Sequence, residues 1–373
     1  MMEEELYGLF ERYMAIPHGV ERINAIREAV KKADNWGDDY WRLKNRYQLA
    51  IEQYRYDDSG KVLPMIAEYV AIFEKKYFDT GKSPTHQQLG EYLYLLDLAL
   101  NVFGILPQLP LTQGRQLEEQ YWNALKRFGY GKADYYDRRY FQLRYEDQME
   151  EAETIFELWE EERQGSARQV TSCEGCIKSI QIRHKLHQGK RDEALKLARP
   201  LMDGTIQCSY EPWRSFRLFM NNSRNRGDLG GMKYYGRQLT RRLGWDENAD
   251  EMSLLSYYAL LDIPRGLKTV ETSIDEIFHK WNQCSRWRGF MEAWLFFSQA
   301  AHTYETVSLA MPKTFPLYRE DGQYNTAELA QWFHEGALEI ARKFDERNQS
   351  SYYQNKMQRA WKGMQKMTGE SNE

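Results

Sequence analysis

The sequence predicts an all-α protein, an α-solenoid built from antiparallel helix pairs. Glycine and proline are sparse, at 25 and 10 residues in a chain of 373, and strand-like runs that alternate polar and apolar residues are rare. Apolar residues instead recur at steps of three and four, which places them on one face of a helix. Short polar turn sequences separate these stretches at intervals of about 15 to 20 residues, a spacing typical of helix hairpins.

The helical spacing is clearest in three stretches. GEYLYLLDLALNVFGIL and MEEAETIFELWEEE both carry it. In VLPMIAEYVAIFEKKYF the apolar residues that share one face are Val62, Ile66, Tyr69, Val70 and Phe73. We therefore expect one long helix in each stretch, with that face buried.

A repeat runs through the middle of the chain. HQGKRDEALKLARPLMDG and NRGDLGGMKYYGRQLTRRL share one pattern, and their turn glycines Gly189 and Gly227 lie 38 residues apart. A glycine ends a helix readily because it adopts the left-handed conformation at little cost, and the small Ala194 allows close helix packing. Two helices per unit and a period in the middle thirties are typical of tetratricopeptide repeats. We predict about 16 to 18 helices stacked as a superhelix.

No linker interrupts this pattern, so the sequence predicts a single helical-repeat domain over residues 1–366. A loop is expected at 311–325. The predicted parts are divergent N-terminal helices at 1–130, the clearest repeats at 131–310, C-terminal helices at 311–366 after the loop, and a flexible tail at 367–373.

Charge and composition limit the classes of partner that the sequence favours. The chain has 51 basic and 55 acidic residues, a balance that makes nucleic acid an unlikely partner because such binders concentrate Lys and Arg. No stretch approaches the roughly 20 apolar residues of a membrane span, and the acidic start MMEEELYGLF lacks the features of a signal peptide. Four cysteines are too few for a disulfide framework. We expect a cytoplasmic protein with reduced thiols and no membrane partner.

The cysteines raise the question of a metal. Cys173 and Cys176 open a predicted helix, and a shift of 35 residues maps them onto Cys208 and Glu211. Neighbouring solenoid helices lie about 8 to 10 Å apart, so three thiols and a carboxylate should meet and could hold a structural zinc. The first interpretation is nevertheless packed free thiols with no cofactor. A redox pair is disfavoured because no β-α-β pattern precedes the motif.

A second candidate site lies on the helix YEPWRSFRLFMNNSRNRGDL. Aligning Gly227 with the turn glycine of a tetratricopeptide unit leaves one stripe of polar residues facing the concave side of the superhelix, namely Arg214, Arg217, Asn221 and Arg224. Guanidinium groups offer paired donors that suit a carboxylate or a peptide backbone. We predict that this stripe binds another protein or a peptide. The alternative is a solvated helix face with an ordinary mix of charges.

Sequence motifs give no support for catalysis. The phosphate-binding patterns GxxxxGK[ST] and GxGxxG and the nucleophile pattern GxSxG do not occur. We therefore predict that the protein is not an enzyme. The alternative, a metal-dependent enzyme around the cysteine cluster, lacks an evident acid or base.

The region of roughly residues 130–350 resembles a group of bacterial tetratricopeptide-repeat-like proteins of Gram-positive lineages. The resemblance rests on CEGC at a helix start, GKRDEALKLARPLMDG followed by C-x-x-E-P, PRGLKTVE and ARKFDERNQS. In that group a histidine often follows this proline, whereas Trp213 stands there in this chain, so a complete metal site is not implied. The resemblance implies a helical-repeat fold and a protein-interaction role, without a reaction or a named partner.

The sequence thus predicts a protein-binding scaffold or adaptor. A specialised form of this role would be a component of a bacterial defence or toxin-neutralising system. A peptide- or ligand-sensing regulator and a nucleic-acid-binding helical-repeat protein are the alternatives.

Overall fold

A computed structural model describes residues 2–165, 172–244, 246, 249–279 and 282–369. Within these residues the chain forms helices throughout, two short 3-10 helices at Ser59–Lys61 and Glu251–Leu254, and one pair of short strands. The prediction of an all-α protein is confirmed.

The helices follow one another with short connections. Their bounds are α1 Met2–Ala15, α2 Val20–Trp36, α3 Asp39–Tyr56, α4 Val62–Tyr77, α5 His86–Ile105, α6 Leu111–Arg127, α7 Ala133–Tyr145, α8 Met149–Gly165, α9 Glu174–His187, α10 Arg191–Met202, α11 Trp213–Arg226, α12 Leu229–Thr240, α13 Leu255–Leu261, α14 Ile263–His279, α15 Gln283–Ala300, α16 Thr326–Asn348 and α17 Tyr352–Thr368.

The described residues divide into two compact units. The first unit comprises 2–144 and 148–165 with residue 282, and the second comprises 145–147 and the described residues of 172–279 and 283–369. The sequence predicts one continuous domain over 1–366 and does not foresee this division. The stacking of helix pairs into one superhelix stays a prediction.

In the first unit, helices that are consecutive in the chain pack on one another from α1 to α6. The predicted face of α4 is buried at all five positions, which confirms the helical spacing seen in the sequence. The ring of Phe73 stacks on that of Tyr92 in α5 at 4.1 Å between centroids. Helix α5 begins at a capping box in which Thr85 and Gln88 bond to each other's backbone.

In the second unit, α9 packs on α10 and α11 packs on α12. Gly189 and Gly227 adopt positive φ angles of 77° and 73°, so both predicted turn glycines occupy the left-handed conformation that they were expected to supply. Ala194 is fully buried where α10 meets its neighbours. Helix α11 also packs against α9 and α17, which brings residues from distant parts of the sequence to its surface.

The predicted loop at 311–325 lies between α15 and α16, and its end is more ordered than expected. Strand β1, Thr306–Ser308, pairs antiparallel with β2, Gln323–Asn325. Strands of three residues are too short to leave a period-two pattern in the sequence. Helix α17 extends to Thr368, two residues into the predicted tail, and 370–373 lie outside the described residues. Among the described helices, none has both the length and the apolar character needed to cross a bilayer.

Candidate functional site

The structure brings three of the cysteines together at the start of α9. The Sγ atoms of Cys173, Cys176 and Cys208 all lie within 4.8 Å of one another. Cys173 is the N-cap residue of α9 and Cys176 lies in its first turn, whereas Cys208 lies in the connection between α10 and α11. The Sγ atoms of Cys176 and Cys208 are 3.9 Å apart, so these thiols are in contact but not joined as a disulfide, which requires about 2.05 Å.

The backbone around the thiols favours a thiolate. Although burial raises the pKa of Cys173, backbone hydrogen bonds from Cys176 and Gly175 and contacts with the other two thiols lower it below its ordinary value. Burial raises the pKa of Cys208 to about 12, even though the backbone of Tyr210 donates to its sulfur. Cys173 is therefore the more readily ionised of these two thiols.

Gly175 makes the approach of the thiols possible. A Cβ atom at this position would lie 2.5 Å from the Cβ of Cys208 and 3.3 Å from its Sγ, and real Cβ atoms do not come so close to another carbon. The glycine in CEGC thus lets the connection before α11 lie directly against the first turn of α9. Its role is to create space, since a side chain would push Cys208 away.

Glu211, the fourth residue predicted for this cluster, lies outside the group of three thiols. Its Oε2 accepts a hydrogen bond from the backbone nitrogen of Ser215 at 2.9 Å, where it supports the first turn of α11. Burial raises the pKa of the Glu211 carboxyl above its ordinary value. The structure therefore offers three sulfur ligands for a metal, and Glu211 has a structural bond of its own.

The polar stripe of α11 is divided between two environments. Arg214, Arg217 and Asn221 are partly exposed, and the Oδ1 of Asn221 is buried with no hydrogen-bond partner within the described residues. Arg224, in contrast, is only 2% exposed and forms an ion pair with Glu292 of α15. Its Nη1 also donates to the Oγ of Ser256 at 3.1 Å. The structure thus places Arg224 in the packing between helices, where a partner could not reach it.

Around Arg214 and Arg217 the structure gathers three further cations that the sequence analysis did not single out. Arg183 of α9 interacts electrostatically with Arg214 and Arg217, and Arg288 of α15 interacts with Arg217. Lys356 of α17 interacts with Arg183 and Arg288. We call these five residues the cationic recess. All five residues retain solvent-accessible surface, although surrounding protein desolvates Arg183, Arg217, Arg288 and Lys356.

Individual contacts define the walls of the cationic recess. The Nη1 of Arg214 lies 3.8 Å from the Sγ of Cys176, so the thiol cluster borders the recess. The Nη2 of Arg288 lies 3.5 Å from the Sγ of Cys284. The ammonium of Lys356 lies over the ring of Trp287 at 5.4 Å from its centroid. Four helices, α9, α11, α15 and α17, therefore contribute to one surface.

Like and opposite charges both act on the recess: Cys284 raises the pKa of Arg288, and the Glu211 carboxyl interacts with Arg214 and Arg183. Desolvation and the charge of Arg288 lower the pKa of Arg217 to about 10. Desolvation and the same guanidinium lower the pKa of Lys356 to about 7. Asp250 lies 4.0 Å from Arg217, but burial raises the pKa of its own carboxyl. An added anion would stabilise the charged form of these groups.

Sequence reasoning found the α11 part of this surface and missed the rest for a clear reason. Arg183, Arg288 and Lys356 belong to three different helices that are far apart in the chain, and no local motif links them. Cys284 and Arg288 are four residues apart on α15 and thus share a helix face. That spacing is the one signal in the sequence that points to Arg288.

Comparisons of the chain with protein-family models, with curated proteins and with solved structures gave no match.

Proposed function

We propose that the protein is a protein-binding scaffold whose second unit holds a carboxylate-bearing segment of a partner in the cationic recess. The observation that supports this proposal most strongly is that Arg183 and Arg288 interact with the partly exposed arginines of α11 and also with Lys356. Concentrating like charges in one place raises the free energy of the folded protein, so such an arrangement is typical of a binding site for the opposite charge.

The chemistry of the recess favours carboxylates on an extended peptide. Arginine binds carboxylates through two parallel hydrogen bonds, and Arg214 and Arg217 lie three residues apart on one face of α11. Asn221 continues that face one turn further and is partly exposed. Aspartate, glutamate or a C-terminal carboxylate would therefore occupy the recess while the adjoining backbone follows that face of α11.

Selection from a random peptide library on the purified protein tests this proposal. We expect the selected peptides to be enriched in acidic residues or to depend on a free C-terminal carboxylate. Their affinity, measured by fluorescence polarisation, should fall at least about 10-fold in Arg217→Ala/Arg288→Ala, because each charge-assisted hydrogen bond contributes about 1.5 to 3 kcal/mol.

A matched control is available on the same helix. Arg226 is an exposed arginine in the last turn of α11 and is not part of the cationic recess, so Arg226→Ala should bind the selected peptides like the unchanged protein. Peptides without an acidic preference, or equal affinity in both variants, would contradict the proposal.

A further inference from the structure

The thiol cluster carries an inference that goes beyond partner binding. We propose that Cys173, Cys176 and Cys208 bind one zinc ion as thiolates, and that this ion joins the start of α9 to the connection that precedes α11. The site would hold a single metal ion, and the three protein ligands of that ion would all be sulfur atoms.

The spacing of the sulfur atoms fits this assignment. With zinc–sulfur bonds of about 2.3 Å and tetrahedral angles, two thiolates on one ion lie about 3.8 Å apart. The Cys176 and Cys208 sulfurs are 3.9 Å apart, and all three lie within 4.8 Å of one another. Iron–sulfur clusters ordinarily use four cysteines, arranged around several iron atoms. Three sulfurs at this spacing surround a single ion.

The surroundings also suit thiolate ligands. Cys173 is the N-cap residue of α9, and the N-terminus of a helix stabilises a thiolate. Three thiolates and Zn²⁺ carry a net charge of −1, and the guanidinium of Arg214 lies 3.8 Å from the Cys176 sulfur to balance it. Cys173 is exposed, so solvent can reach the fourth coordination position.

Glycine at position 175 is a second, independent observation. Cys208 can lie at its observed position only because residue 175 has no Cβ. A Cβ added at Gly175 would be 2.5 Å from the Cβ of Cys208. The close approach places the connection that carries Cys208 against the helix turn that carries the other two thiols.

A structural role follows from the position of the ion. It would cross-link residues 32 positions apart, Cys176 and Cys208, and such a cross-link stabilises a fold by restricting the unfolded chain. The two segments that it joins lead into α9 and α11, which carry Arg183, Arg214 and Arg217 of the cationic recess. The ion would thus hold two walls of the recess at a fixed separation.

Metal analysis of the purified full-length protein is the direct test. We expect about one zinc per chain by elemental analysis, and cobalt added to the metal-free protein should give the intense near-ultraviolet band of thiolate-to-cobalt charge transfer. The zinc affinity should fall more than about 100-fold in Cys208→Ser, since changes outside the ligand shell alone cost 10- to 100-fold. The matched control is Cys284→Ser, which removes the cysteine outside the cluster and should bind zinc normally.

Two further measurements keep the result interpretable if Cys208→Ser folds poorly. Gly175→Ala retains all three thiols and should weaken zinc binding about 10-fold by displacing Cys208. A chelator should lower the melting temperatures of the unchanged protein and of Cys284→Ser by the same amount, because both retain the three cluster thiols. Metal-free protein that shows no cobalt band, copper in place of zinc, or equal zinc content in Cys208→Ser and Cys284→Ser would overturn the proposal. None of these readouts depends on peptide binding.

Discussion

Both units contain matched buried charges, such as Arg224 and Glu292 in the second, but the second unit also gathers like charges in one place. In the first unit, cations and carboxylates are matched: Arg46 donates to Asp34 at 2.7 Å and to Glu68 at 3.0 Å, and Arg138 pairs with Asp97. In the second unit, the five cations of the cationic recess converge, and Arg217 lies 4.0 Å from Asp250. Matched charges stabilise a fold or leave it unchanged, whereas gathering like charges in one place opposes folding.

The difference is visible in the pKa values. Burial alone would lower the pKa of Arg46, but hydrogen bonds from its guanidinium to Asp34 and Glu68 raise it above the ordinary value. For Arg217, burial and the charge of Arg288 act in the same direction and lower the pKa to about 10. Equivalent side chains are thus held in matched pairs in one unit and beside other cations in the other.

The largest expected effect concerns the matched charges of the first unit. Asp97→Ala should lower the free energy of unfolding by about 3 kcal/mol, because it removes the partner of a desolvated guanidinium on Arg138. Urea denaturation followed by circular dichroism measures this loss. The control is Asp39→Ala, which breaks an exposed pair with Arg42 and should cost less than about 1 kcal/mol. Similar losses in both variants would show that the first unit does not depend on buried pairs.

A smaller effect is expected from pH in the second unit. Because the pKa of Lys356 falls to about 7 in the folded protein, the unfolded chain binds more protons between pH 7 and 9, and this residue makes stability rise with pH in that window. The groups that face it are Arg183, Arg224, Arg288 and Cys284.

Comparison with Lys356→Met isolates this contribution. Between pH 7 and pH 9 the gain in unfolding free energy should be about 1 to 2 kcal/mol larger in the unchanged protein than in the variant, a value reduced for the partial exposure of the ammonium. Denaturation curves at the two pH values measure it. An equal gain in unfolding free energy in both proteins would mean that the recess does not lower the pKa of Lys356.

The smallest effect is expected from removing recess arginines. Arg217→Ala/Arg288→Ala should change the unfolding free energy by less than about 1 kcal/mol, since both side chains reach solvent and their mutual repulsion is relieved. Thermal and urea unfolding of this variant provide the measurement. A loss above about 2 kcal/mol would assign these arginines to the structure, as in the first unit, and remove the contrast between the units.

Candidate site residues could be predicted from the sequence where they are close together in the chain. Residues on one helix, such as Arg214, Arg217 and Asn221, could be grouped by spacing because a helix brings together positions three and four apart. The same rule misled for Arg224, which shares the stripe but is buried against Glu292. Helix spacing predicts which face of the helix a residue occupies. The packing of neighbouring helices determines whether that face contacts solvent or other side chains.

The sequence by itself determined the helices, the buried face of α4 and the turns at Gly189 and Gly227, because these depend on periodicity and on backbone conformation within a few residues. The repeat spacing also placed Cys173, Cys176 and Cys208 in one region. Only the tertiary structure decided the division into two units, the absence of Glu211 from the group of three thiols and the convergence of Arg288 and Lys356 on α11. Those features depend on contacts between helices far apart in the chain, and the side chains that make such contacts leave no periodic pattern in a single sequence.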